Sequence, residues 1–183
     1  MANSLREVKL RISSTESTAQ ITKAMYMVSQ SKVKRAEKTY KSYQDFMKRI
    51  ASMVSKIVSK ASNEYQHPLL TPIEVKKTVY FVITSDRGLA GAYNSSILKA
   101  LEEQINNNHK SQDEYLTAAI GKQGYSFLKK KGYPMIEDNP VYVRDDVMFV
   151  DIEPLARKII DAYLNKEIDK LVIVYNHYVN SLT

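Results

Sequence analysis

Residues 87–94, RGLAGAYN, join an apolar, β-branched run to a helical pattern. Phosphate-binding loops occupy this position in α/β domains, where they hold an anion on backbone amides at a helix start. The stretch offers only Gly88 and Gly91. It lacks both the G-x-G-x-x-G spacing and the Lys-Ser/Thr pair of a P-loop, so close approach of the backbone to a pyrophosphate is not provided for. The two glycines are read instead as shaping a tight strand-to-helix turn, with Asp86 beside them. The histidines His67, His109 and His177 have no second ligand at a metal-like spacing. His67 and His109 are expected in solvent, and His177 on a strand face. No G-x-S-x-G elbow is present. The adjacent carboxylates Glu102-Glu103 and Asp145-Asp146 point in different directions and read as solvated. With no cysteine in the chain, thiolate catalysis, disulfides and cysteine-held metals are excluded. No catalytic residue, cofactor or metal is expected.

Charge is the stronger signal. The net charge is +7, yet residues 1–60 hold thirteen Lys/Arg against four Asp/Glu, and the remainder is slightly acidic. Such asymmetry points to a partner with an acidic surface. Nucleic acid is one candidate, but the basic residues are spread along some 55 positions rather than concentrated as in a groove-reading region. No apolar run is long enough to span a membrane. MANSLREVKLR lacks the apolar core of a signal peptide, and a cytosolic protein is expected.

Residues 1–61 contain neither Gly nor Pro. A three-four spacing runs through Leu5, Val8, Ile12, Thr15, Ala19, Thr22, Tyr26, Ser29, Val33, Ala36, Tyr40, Tyr43, Met47, Ile50, Val54, Ile57 and Ala61. That spacing predicts one long coiled-coil helix of about 85 Å, in preference to two helices kinked near Ser13-Ser14. Its seam needs a partner helix. In ITKAMYMVSQSK (21–32) the seam weakens to Thr22 and Ser29, while Ile21, Met25, Met27 and Val28 spread around the circumference. Two readings stay open for this stretch: a local shift of a buried stripe, or a coiled coil enclosed by something larger.

After the turn signals His67-Pro68 and Thr71-Pro72 the period changes. Strands are predicted at 78–84, 114–121 and 169–179, the first and last fully covered, with a short strand at 133–138. Helices are predicted around 97–105, 122–132 and 149–165, the second stopped by Gly132. Alternating strands and helices imply a parallel sheet. The expected organisation is a basic helix over 1–62, a connector over 63–76 and a Rossmann-like α/β domain without nucleotide over 77–183.

The stretches ITKAMYMVSQSK and SDRGLAGAYNSSI (85–97) together resemble the gamma subunit of bacterial F-type ATP synthases, and the resemblance covers essentially the whole chain. It implies a non-catalytic rotor. The N-terminal helix would form half of a shaft inside a ring of alpha and beta subunits. The α/β domain would be a foot on the epsilon subunit and the membrane c-ring, at the cytoplasmic face of a bacterial plasma membrane. By position, Lys23, Met25, Lys32, Arg35 and Arg87 would contact the beta subunit, with Asp86, Gly88 and Gly91 shaping the loop that carries Arg87. No nucleic acid is then expected. The rivals are a basic coiled-coil nucleic-acid binder and a small nucleotide-dependent enzyme.

The family's final strand and long C-terminal helix have no counterpart in the sequence, so the resemblance implies a shaft missing one strand. Residues 5–61 are therefore expected to self-associate between chains or to be only marginally ordered. Sedimentation together with circular dichroism checks this, and a strictly monomeric, fully helical N-terminal segment contradicts it.

Overall fold

The computed structural model describes residues 2–60, 67–69, 71, 73–143 and 147–180, without the side chains of residues 2 and 3. The chain divides into two compact units, Met1–Tyr65 and Gln66–Thr183. Asp145 and Asp146 lie outside the described residues.

The first unit is a single uninterrupted helix, α1 (Ala2–Lys60). There is no kink at Ser13-Ser14. Hydroxyls along its middle are satisfied locally. Thr15 donates to the Arg11 carbonyl at 2.8 Å, Thr18 to Ser14 at 2.9 Å and Thr22 to Thr18 at 2.8 Å. Such i−4 bonds leave the threonine methyl as the group a neighbour would meet. The ion pairs Glu7–Arg11 (2.7 Å) and Glu37–Lys41 (3.0 Å) follow the favourable acid-before-base order at i,i+4. Both are exposed and contribute only a few tenths of a kcal/mol, about 0.3–0.5 each.

The second unit is built around a three-stranded parallel sheet of order β2-β1-β3: β1 (Thr78–Ile83), β2 (Tyr115–Ile120) and β3 (Lys170–Val174). TVYFVI is rich in β-branched and aromatic residues and occupies the centre, buried on both faces. On one face Val79, Phe81, Ala118 and Ile120 pack with Leu155, Ile159 and Ala162 of α4 (Phe149–Leu164). On the other, Tyr80, Val82 and Ala119 pack with Ile97, Leu101 and Ile105 of α2 (Tyr93–Asn108) and Leu128 of α3 (Lys122–Lys131). The architecture is thus α/β, with helices on both faces of a parallel sheet. Gly132, in the left-handed conformation, closes α3.

Three expectations change. The last strand is short and lies at the sheet edge, so Leu171 and Ile173 remain 43% and 49% exposed rather than covered. They stand opposite Val79 and Phe81, but the α4 core reaches only β1 and β2. Beyond Val174 the described chain is irregular, so His177 is exposed and not on a strand. Residues 133–138 form no strand. Met135 makes a single bridge to Thr117, and Val141 another to Ile120.

His109 also departs from expectation: its side chain is only 9% exposed. It shares a 2.9 Å hydrogen bond with the Tyr80 hydroxyl and packs against the Tyr115 ring, 5.4 Å between centroids. A histidine just past a helix end reads as solvated in sequence, yet here the aromatic residues of β1 and β2 enclose it. Burial raises the Tyr80 and Tyr115 phenols above 10.0. Glu102, too, is tied down by Lys131 at 2.7 Å.

The irregular segment after α3 is fastened to α4 by Glu137. Its carboxylate accepts from the Asn139 amide at 2.9 Å and from Lys158 Nζ at 3.1 Å. The Asn139 bond, then the Lys158 bond, hold its pKa below the ordinary 4.5. A carboxylate whose folded value is depressed contributes stability that is present above the unfolded value and lost as pH falls through the folded one. Glu137→Gln is therefore expected to melt below the wild type at neutral pH, with the gap narrowing as the pH falls below 4.5. Thermal melts across pH check this.

Candidate functional site

The candidate residues fall in two places, one in each unit. On α1, Met25 is 61% exposed, and Lys23, Lys32 and Arg35 are exposed as well. At 100° per residue, Ile21, Met25, Val28, Lys32 and Arg35 fall within an arc of about 80°. They make one face, apolar at its N-terminal end and basic at its C-terminal end. Lys23 lies about 160° from Met25, on the other flank of the seam. The helix therefore groups three of the four candidates and separates the fourth. Among the described residues neither Lys23 nor Arg35 has an ion-pair partner, although Glu7 and Glu37 hold their own.

The second place is the loop after β1. Parallel pairing carries one residue past the strand, where the buried Thr84 donates its amide to the Ile120 carbonyl at 2.9 Å. From there the chain runs over the start of α3. The first three amides of α3 are each taken by this segment. The Lys122 amide donates to Asp86 Oδ1 at 2.8 Å, Gln123 to the Ser85 carbonyl at 3.1 Å, and Gly124 to Thr84 Oγ1 at 2.8 Å. An anion would use those groups at a helix start. Here the chain's own oxygens fill them. The approach is close enough to demand glycine at Gly121, whose φ is +92°: a Cβ there would sit 2.2 Å from the Thr84 carbonyl oxygen.

The loop is fixed on its other side by Asn94 in α2. Its Oδ1 accepts from the Ser85 amide at 3.0 Å, and its Nδ2 donates to Ser85 Oγ at 2.8 Å. Ser85 Oγ in turn donates to the Arg87 carbonyl at 2.6 Å. Asp86 is half-buried, and its carbonyl also accepts from Gln123 Nε2 at 3.4 Å. Arg87 is exposed and has no ion-pair partner among the described residues. Gly91 takes a positive φ of 55°, whereas Gly88 needs neither that conformation nor the space.

Between the glycines stands a residue that sequence reasoning missed. Leu89 has φ +57° and is 105% exposed, the most exposed large apolar side chain among the described residues. A left-handed L-residue costs about 1–2 kcal/mol. A leucine in a polar loop carries no sequence signal of its own, so only the backbone angle and the exposure reveal it.

No cluster of three His, Cys, Asp or Glu suited to a metal is found among the described residues. Among the described residues no helix is long and apolar enough to cross a membrane. The family sequence model described as ATP synthase matches residues 4–183, and the chain belongs to that family. It is similar to the ATP synthase gamma chain of Staphylococcus haemolyticus, with 45% identity over 98% of the chain, and to that of Staphylococcus saprophyticus, with 42% identity over the same share. The chain spans 62% of the length of each of these relatives. Its fold is similar to a chain in the cryo-electron microscopy structure of the Tetrahymena thermophila mitochondrial ATP synthase central stalk and c-ring. That likeness has a TM-score of 0.64 and 25% identity, over 89% of this chain and 68% of the other.

Removing the Asp86 carboxylate leaves the Lys122 amide without its acceptor. Asp86→Ala is expected to destabilise the α/β unit by about 1 kcal/mol, the usual cost of losing a helix-start acceptor. Urea denaturation checks it, and an unchanged midpoint contradicts the capping role.

Proposed function

We propose that the chain is the central-stalk rotor subunit of an F-type ATP synthase, without catalytic chemistry of its own. It would couple proton flow through a membrane ring to conformational change in catalytic beta subunits. The observation that carries this reading is α1. Its 59 residues run unbroken for about 90 Å, and its apolar side chains are exposed all around the stretch from Ile21 to Val28. One partner helix could cover only the seam. Apolar groups on the remaining circumference fit a surrounding sleeve, which favours the second of the two readings left open by the sequence.

In this reading Met25, Lys32 and Arg35 meet one beta subunit as a single face, and Lys23 meets the ring from the other flank. Arg87 pairs with an acidic beta-subunit residue, and Asp86 and Gly91 hold its loop in shape. Gly88 belongs to the same loop without a geometric demand. Coulomb attraction changes gently with angle and distance, which suits a contact that must turn. The α/β unit would bear on the epsilon subunit and the c-ring. The protein would then be peripheral at the cytoplasmic face of a bacterial membrane, held there by its partners. The nucleic-acid reading draws no support from the relatives, and the basic residues of α1 are spread rather than concentrated.

The test is co-elution with a purified alpha–beta ring at physiological salt. The chain is run as it stands and fused to the remaining C-terminal segment of the Staphylococcus haemolyticus gamma chain. Co-elution is expected, with Met25→Lys and Arg87→Glu each weakening it about tenfold, equivalent to about 1.4 kcal/mol. If both forms elute alone while the intact Staphylococcus gamma chain binds, the rotor reading is overturned.

A further inference from the structure

We propose that Leu89 is the apolar anchor of the loop after β1, seated in an apolar pocket of a partner protein whose rim supplies a carboxylate for Arg87. The proposal rests on the rotor reading and deepens its Arg87 contact. The partner is the acidic subunit that this reading sets against Arg87.

Nothing among the described residues accounts for a leucine at this position. Its side chain is 105% exposed, so it supports no core. Its φ of +57° is one that glycine or asparagine adopts with less strain. Strained backbone persists where the surroundings over-determine it, and such positions cluster at binding and catalytic sites. The surroundings here do so. Ser85 is bonded to Asn94, and Asp86 is bonded to Lys122 and Gln123, on either side of the segment. The Tyr93 amide closes the turn on the Ala90 carbonyl at 3.1 Å. A loop already fixed in this way loses little freedom on binding, so its exposed tip is worth more to a partner.

The flanks favour close approach. A Cβ added at Gly88 or Gly91 would meet no atom within 4 Å. A partner surface can therefore come close to the backbone on both sides of the leucine. Two residues away, the exposed Arg87 has no carboxylate partner among the described residues. Arginine is over-represented among the residues that concentrate binding energy in protein interfaces, and those residues sit in well-packed pockets from which water is excluded. A lipid surface fits less well, because adsorption there scales with the apolar area inserted. This tip offers one side chain.

The test uses the chain fused to the remaining Staphylococcus haemolyticus gamma segment, with the purified alpha–beta ring and with anionic phosphatidylserine vesicles. Leu89→Asn is expected to weaken ring binding about tenfold while its melting temperature stays level or rises, since asparagine relieves the strain. Leu89→Met is expected to bind within about twofold of wild type, because methionine refills an apolar pocket. The loss with Leu89→Asn should persist at high salt, whereas that with Arg87→Gln should shrink, because only the latter is an exposed charge contact. If Leu89→Asn binds the ring like wild type while Arg87→Gln does not, the anchor is refuted and the rotor reading stands. If Leu89→Asn loses vesicle binding and keeps ring binding, the occupant is lipid and the proposal is overturned. If the wild type does not bind a ring that accepts the Staphylococcus gamma chain, both readings fall together.

Discussion

An isolated helix cannot cover its own apolar side chains, and α1 is 59 residues of that problem. Leu5, Val8, Ile12, Tyr26, Val33, Met47, Val54 and Ile57 are all exposed on it, as are Ile21, Met25 and Val28 away from the seam. Each such side chain contributes about 1.5–3 kcal/mol once buried. The helix therefore holds most of its interaction energy in reserve for other surfaces. Local bonds keep that surface ready. The threonine hydroxyls in the weak middle of the seam turn back onto carbonyls one turn earlier and make no demand on a neighbour. The basic residues along the rod add attraction of long range and low directionality, which complements contact that is apolar and equally undirected.

The α/β unit answers the opposite requirement. It buries its own core on both faces of β1 and depends on no other surface for that. Its distinctive local feature is the way Thr84, Ser85 and Asp86 occupy the first amides of α3. Amides at a helix start are groups that can hold an anion. Here the same physics serves rigidity: the helix start receives its negative partner from a neighbouring loop, and that loop gains a fixed shape. The backbone that carries Arg87 and Leu89 is thereby fixed in shape.

Much of this was legible in the sequence, and the exceptions have physical causes. The long helix followed from a sustained three-four spacing without Gly or Pro, and β1 from a continuous β-branched run. The arc that unites Met25 with Lys32 and Arg35, and excludes Lys23, follows from 100° steps alone. What was not legible depends on tertiary neighbours. LVIVY looks the same whether its strand is central or at an edge, since only the pairing decides. His109 is buried because Tyr80 and Tyr115, distant in sequence, close over it. Glu137 is tied to Lys158 in α4, 21 residues further along the chain, a pairing with no local period. Leu89 announces itself only through a backbone angle and a measure of exposure.

The most direct measurement of the central claim is rotation. The chain has no cysteine, so Lys130→Cys on the exposed side of α3 gives a single attachment point for a probe. The chain, fused to the remaining Staphylococcus haemolyticus gamma segment, would be assembled with an immobilised alpha–beta ring and observed while ATP is hydrolysed. The account predicts that the probe turns in one direction, in steps that follow hydrolysis. Binding with steady hydrolysis and a stationary probe would contradict it, because α1 would then be a fixed scaffold rather than a shaft.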